Sequence, residues 1–268
     1  MTQTPEPRSP SAPSGRLLSG GRAGVAALAV SAAALLVALA PYVSGADFGA
    51  RVRAYLLQNP EVLQEVSVAL EQRALQQQVA DGRRKAAEIT ARVAANPGLL
   101  TVDARDAAFG PADARVTVIE FFDFRCPGCK ATAPEVLRLM QVHPDVRFVF
   151  KDWPILDGAA NGVSHHAARA AQAAHRQGKY LPVFRALMAA PALSEPAIDA
   201  ILQANGVSLP EAEAAMTSPD LARHMADMQT SAMAMGLAGT PTFFVNGRAM
   251  ESIEPAALDR AIRAAKAD

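Results

Sequence analysis

Apolar positions divide this chain into three regimes. From Ala23 to Val43 every residue is uncharged and most are apolar, a run about long enough to span a bilayer. Between Ala46 and Asn96 polar residues dominate, and apolar ones thin to a seam: Val52, Leu56, Leu63, Val66 and Leu70, at spacings of three, four and seven. That is one narrow face of a helix. Inside it, Asn59 is the candidate N-cap of a second helix and Pro60 suits its first position. Beyond the break at Asn96-Pro97-Gly98 the pattern changes to short apolar blocks separated by helical periods.

In this third regime, Leu99–Val102 reads as a first short strand and Val116–Asp123 as a buried one. Cys126 to about Gln141 reads as a helix, and Val146–Phe150 as the next strand. Strand, helix and strand in that order imply a right-handed parallel crossover. Residues 158–236 are Ala-rich with helical spacing, broken near Gly178, Pro191, residues 206–210 and Ser218-Pro219. Gly239–Arg248 is a Pro-led strand turning through Asn246-Gly247 into a second strand. Pro255 then opens a last helix that runs to about Lys266. The fold class is α/β.

The expected organisation is a disordered cytoplasmic tail over 1–22, a transmembrane anchor or signal segment over 23–43, a helical region over 46–96, and a globular domain over 99–268. A helical insertion occupies about 158–236 of that domain. Arg8, Arg16 and Arg22 precede the apolar run and would hold the N-terminus in the cytoplasm, leaving everything after Ser44 outside. Ser44-Gly45-Ala46 offers small residues for cleavage, whereas the length of the run favours an uncleaved anchor. Either way the compartment is periplasmic or otherwise extracytoplasmic, and oxidising. The seam over 46–96 either packs on its own chain or joins copies of it into a homo-oligomer.

The 268 residues carry 26 basic and 26 acidic side chains, so the formal net charge is zero. With no basic excess there is no footprint for nucleic acid. Two cysteines in a chain this long make a site rather than a scaffold. Cys126 and Cys129 fall where the helix begins, and the unpaired amides and positive dipole end there favour a thiolate on Cys126. Pro127 suits the first helical position, and the spacing lets the sulfurs meet in a small ring. A purely structural bridge closing so short a loop would constrain the unfolded chain little.

Cys126-Pro127-Gly128-Cys129 after an apolar strand, a helical insertion, and Gly239-Thr240-Pro241-Thr242-Phe243-Phe244-Val245-Asn246-Gly247 together resemble the DsbA-like branch of the thioredoxin superfamily. The resemblance covers roughly Phe109 to the end. It implies a thioredoxin fold interrupted by a helical subdomain, a thiol-disulfide oxidoreductase or isomerase activity, and a cis proline at Pro241 beside the cysteines. Val52–Leu63 resembles the N-terminal helical segment of suppressor-of-copper-sensitivity type relatives, some of which form oligomers. Implied partners are cysteine-containing exported proteins and a membrane oxidase or reductase; no cofactor or metal is implied.

Within that resemblance Cys126 is the attacking nucleophile and Cys129 resolves the mixed disulfide, needing a base to lose its proton. Glu120 is the candidate base, since a carboxylate among Val118, Ile119, Phe121 and Phe122 is expensive to bury without purpose. Pro127, Gly128, Thr240 and Thr242 flank the cysteines and the proline and are assigned to substrate binding. Lys151 is a candidate ion partner for Glu120, and Asp123 and Arg125 are candidates for electrostatic roles. Gly128 departs from the strongly oxidising members, which place histidine there, so a less oxidising disulfide is expected. Met225, Met228, Met233 and Met235 suit a groove or an apolar helix face. The alternative is a copper-binding or chaperone module that uses these thioethers with the cysteine pair and has no redox turnover.

Overall fold

The computed structural model describes residues 22–43, 45–157 and 162–267. Residues 1–21 of the expected disordered tail, and Ser44 of the expected cleavage site, lie outside the described residues. The chain divides into two units, Met1–Arg73 and Ala74–Asp268.

In the first unit, α1 (Arg22–Val43) forms over the uncharged run and α2 (Gly45–Gln58) follows; α3 (Glu61–Ala95) begins there. Among the described residues no helix is long and apolar enough to cross a membrane. Asn59 does not N-cap α3 as expected. Its side-chain amide donates to Tyr55 O at 2.8 Å, closing the end of α2, while its carbonyl accepts from Val62 N at 3.2 Å. A short amide side chain that reaches its own i−4 carbonyl competes with the capping role.

The second unit is built on a five-stranded sheet of order β1-β3-β2-β4-β5. Its strands are β1 (Ala107–Phe109), β2 (Thr117–Phe122), β3 (Arg147–Asp152), β4 (Thr242–Val245) and β5 (Arg248–Ala249). β2 and β3 are parallel, joined through α4 (Pro127–Val142); the other pairings are antiparallel. The helices α5 (Val163–Arg176), α6 (Tyr180–Ala189), α7 (Glu195–Ala204), α8 (Leu209–Met216) and α9 (Pro219–Met235) lie between β3 and β4, and α10 (Pro255–Ala267) closes the chain. This is the thioredoxin-like arrangement with helices inserted in it.

One expected strand is absent. Leu99–Val102 is not extended; Pro97–Leu100 forms a 3₁₀ turn, and the first strand comes later at Ala107. Leu100 is buried against Ile119, Phe121 and Val149, so the apolar pair that looked like a strand is a plug on one sheet face. A short apolar run has the same signature in either geometry.

Strand alternation sends the two sets of side chains to opposite faces. Val118, Phe122, Phe148 and Phe150 pack with α4, α5, α6 and α10, while Ile119, Phe121 and Val149 pack with Val93 of α3 and Ala232 and Met235 of α9. The later part of α3 also covers the sheet edge: Thr90 Oγ1 accepts from Ala249 N on β5 at 3.0 Å, and Arg92 donates to Met235 O at 3.0 Å. Asn246 (φ 45°) and Gly247 (φ 80°) form the β4–β5 turn in the left-handed region that such a tight hairpin requires.

Candidate active site

β2 ends at Phe122, and the next residue builds the turn that presents the cysteines. Asp123 is buried: its Oδ1 accepts from Arg125 N at 2.7 Å and Ser164 Oγ at 2.9 Å, and its Oδ2 from Ile155 N at 2.9 Å and Leu156 N at 3.0 Å. Its four bonds tie the 123–125 turn to the 155–156 loop and to the start of α5. Arg125 pairs with Asp157 at 2.7 Å.

Cys126 is the N-cap of α4 and Pro127 its first residue. Both thiols are free. Cys126 is 9% exposed and its Sγ lies 3.2 Å from Thr240 O, whereas Cys129, one turn into the helix, is 0% exposed. The Thr240–Pro241 peptide is cis. A Cβ added at Gly128 would sit 3.2 Å from Pro241 Cδ, 3.7 Å from Cys126 Sγ and 3.8 Å from Ile253 Cδ1, so Gly128 faces the proline across the sulfur. Thr242 Oγ1 donates to Gly239 O at 2.8 Å and thereby braces the loop that carries Thr240 and Pro241. A groove of about 370 Å³ opens along this loop, lined by Gly239, Pro241, Thr242, Ile89, Met250 and Ile253 among others.

Glu120 lies on β2 between Phe150 of β3 and Phe243 of β4, 2% exposed, with no group among the described residues donating to either carboxylate oxygen. Burial pushes its carboxyl up to about 8, with the charge of Asp152 adding to the effect and that of Cys126 after it. Burial also drives the Cys129 thiol well above its ordinary value, reinforced by Glu120; bonds from the Asp123 backbone and the Thr240 side chain offset only part. Cys129 is thus a thiol held back from ionising, and a carboxylate of raised proton affinity sits behind it.

The Lys151–Glu120 pair does not form. Lys151 stands opposite Phe121 in the β2–β3 register, so its side chain leaves the sheet on the other face from Glu120. There it is buried, donating to Asp106 Oδ2 at 2.5 Å and Thr101 O at 3.0 Å. The nearby Lys130 donates to Ala190 O at 2.6 Å and Leu187 O at 3.2 Å, at the end of α6. The methionines do not converge on one place: Met228 and Met235 are buried, while Met233 is 66% exposed. Among the described residues no group of three or more His, Cys, Asp or Glu side chains is arranged to hold a metal ion.

A buried acid beside Glu120 escaped the sequence reading. Asp152 ends β3 on the same face as Glu120, accepting from Tyr180 Oη at 3.1 and 3.2 Å and from Gln172 Nε2. Its signal was an acidic residue at the same strand parity as Phe148 and Phe150, hidden because it followed a lysine at what looked like a strand end.

The family model described as Thioredoxin matches residues 103–264, more than half of the chain. The chain belongs to the thioredoxin family. A second family model, described as Copper resistance protein ScsC N-terminal domain, matches residues 46–77. A solved member of similar sequence, a thioredoxin-like oxidoreductase from Silicibacter pomeroyi, is 33% identical, with 62% of this chain and 95% of that one covered and a TM-score of 0.57. A linker-deletion variant of Proteus mirabilis ScsC covers 95% of this chain and 99% of its own at 19% identity and a TM-score of 0.59, a likeness of fold. A curated relative, Na(+)/H(+) antiporter NhaA 3 of Salinispora tropica, is 35% identical over 156 residues, 54% of this chain and 22% of that protein. The chain therefore spans about a fifth of the length of the curated relatives it matches.

Proposed function

We propose that this thioredoxin-family member exchanges disulfides with cysteine-bearing proteins outside the cytoplasm, as an oxidoreductase or isomerase. The observation that carries this is the pairing of an N-capping, surface-reaching Cys126 with a fully buried Cys129 beside the Thr240–Pro241 loop. Cys126 attacks a substrate disulfide, and Cys129 then attacks the Cys126 sulfur of the mixed disulfide, transferring its proton to Glu120. The substrate chain runs along the groove beside Pro241, with Pro127, Gly128, Thr240 and Thr242 around its cysteine. Export follows from the arginine-flanked apolar run over 23–43, which we assign to a targeting segment; a membrane oxidase or reductase resets the pair. The test is turnover: the protein should speed the reduction of insulin disulfides and the refolding of scrambled ribonuclease. Inactivity in both, with tight copper(I) binding by the two thiols, would replace this reading with metal binding.

Gly128 sets the redox poise in this proposal. Glycine adds neither charge nor donor beside the Cys126 sulfur, so the disulfide should be less oxidising than the roughly −120 mV of the strongest oxidant in this branch. Gly128→His would bring an imidazole to within contact of Cys126 and Pro241. Its potential, read by glutathione titration, should rise by roughly 30 mV for each 1.4 kcal/mol by which the thiolate is favoured. An unchanged or lower potential would remove Gly128 from this role.

We also propose that the first unit joins copies of the chain. Phe48, Val52, Leu63, Val66 and Leu70 are all 40% or more exposed, and a cleft of about 360 Å³ between α2 and α3 is lined by Phe48, Val52, Leu56, Leu57 and Leu63. Leaving such a row in water is costly, and a second copy offers the same apolar face. Residues 47–268 should sediment as an oligomer and residues 74–268 as a monomer; equal mass per chain for both would rule the proposal out. The cut falls at 73 because Ala86 and Val93 are buried in the second unit.

A further inference from the structure

The face of the sheet that carries Glu120 holds a second buried carboxylate. Glu120 stands opposite Phe150 and Asp152 opposite Phe122, so the two acids are diagonal neighbours on the same face of adjacent parallel strands. They are 2% and 1% exposed. The cation expected to balance Glu120, Lys151, is on the other face and engaged with Asp106. Glu120 therefore shares its pocket with an anion.

The two acids are served unequally. Asp152 accepts from Tyr180 on α6 and Gln172 on α5, whereas nothing among the described residues donates to Glu120. Two carboxylates this close in an apolar layer do not both ionise at neutral pH, and the negative charge settles where donors meet it. We propose that Asp152 is a positioning residue for the proton of Glu120: it holds the charge of the pair and so makes Glu120 the stronger base toward the Cys129 thiol. This rests on the exchange reaction proposed above.

The step balances as follows. Glu120 as carboxylate takes the proton of Cys129; the Cys129 sulfur attacks the Cys126 sulfur of the mixed disulfide, the Cys126–substrate bond breaks, and the substrate leaves as a thiolate. The dithiol loses two electrons, and the substrate disulfide gains them. A base with proton affinity nearer that of a thiol makes the transfer less uphill, at the cost of a smaller ionised fraction at and below neutral pH, and the step runs through that fraction. Glu120 at about 8 and Asp152 at about 7, both raised first by burial, agree with a pair titrating near neutrality. The other titratable groups around it are Cys126 and Cys129 at the start of α4, Tyr180 on α6 and, beyond Asp152, Asp106 with Lys151.

The test is a titration of Glu120 in the reduced protein by carbon-13 NMR of labelled glutamate, with Glu120→Gln to assign the signal. Asp152→Asn keeps an acceptor for Tyr180 and removes the charge; it should lower the Glu120 midpoint by about one unit. The pH midpoint for release of substrate from a preformed Cys126 mixed disulfide should fall with it. Tyr180→Phe leaves both acids but strips a donor from Asp152, so it should shift the Glu120 midpoint in the same direction by less, and it stands alone if Asp152→Asn does not fold. An unchanged or raised midpoint overturns the proposal. Because the titration needs no substrate, a lowered midpoint in a chain that turns over no disulfide supports the coupled pair and counts against the exchange reaction instead.

Discussion

Cys126→Ser should reduce the insulin-disulfide reductase activity of this protein to the uncatalysed background, while Cys129→Ser should accumulate a covalent complex with its substrate. The asymmetry follows from position. Cys126 caps α4 and reaches the surface beside Thr240, so it meets the substrate first; Cys129 is 0% exposed and its thiol is held well above its ordinary proton affinity. A serine hydroxyl in place of Cys126 cannot attack a disulfide, and Cys129 cannot reach one. Without Cys129 the first bond forms but the second does not, and the adduct persists until reductant is added. The measurement is non-reducing electrophoresis with a cysteine-bearing substrate, alongside the turbidity of reduced insulin. Activity surviving in Cys126→Ser, or adducts forming on Cys129 in its absence, would reverse the assigned roles.

Glu120→Gln should make the reduced protein gain stability relative to wild type as pH rises, and should slow resolution of the mixed disulfide. Folding raises the Glu120 carboxyl from its ordinary 4.5 to about 8, so between those values the folded state binds more protons than the unfolded one. The stabilisation of the protonated form is complete below pH 4.5 and is lost as pH rises through 8. At about 1.4 kcal/mol per unit, the wild type forfeits roughly 4–5 kcal/mol through this one group by pH 9, a loss the glutamine variant escapes. Glutamine leaves an amide in an unpartnered pocket at a cost of about 1–3 kcal/mol, but that penalty does not vary with pH. Urea unfolding of both reduced proteins at pH 5 and pH 9 separates the two contributions; a gap between them that stays constant would show that Glu120 does not carry the burden. The same variant should release substrate from the mixed disulfide about 10²-fold more slowly, the scale of a lost general base.

The two variants together separate a redox site from a buried acid that merely strains the core. If Glu120→Gln stabilised the protein at high pH and left resolution untouched, Cys129 would have to lose its proton by another route. In that event Asp152 would be a structural acid as well, since its proposed effect passes through Glu120.

What was legible in the sequence was whatever local pattern dictates. The buried strand ahead of Cys126, the helix opened by Pro127, the Asn246-Gly247 turn and the helix from Pro255 depend on residues within a few positions of one another, and each forms where expected. Cys126 and Cys129 declared themselves because a thiol pair three residues apart at a helix start lets the two sulfurs meet in a small ring. The expected strand at Leu99–Val102 failed because two adjacent apolar residues can be buried from a turn as well as from a strand.

Tertiary structure alone decided which charges meet. Lys151 and Asp152 are adjacent in the chain, yet strand alternation sends one to Asp106 and the other toward the Glu120 face. No spacing rule in the sequence reveals that β2 and β3 pair with Phe121 opposite Lys151, since register is settled by how both faces of the sheet bury their apolar sets at once. Likewise the contact between Cys126 Sγ and Thr240 O joins residues more than a hundred positions apart and exists only once β4 lies beside β2. By itself the sequence determined which residues could do chemistry. The packing of the sheet determined that Lys151 would face away from Glu120 and that Glu120 would share its face with a second acid.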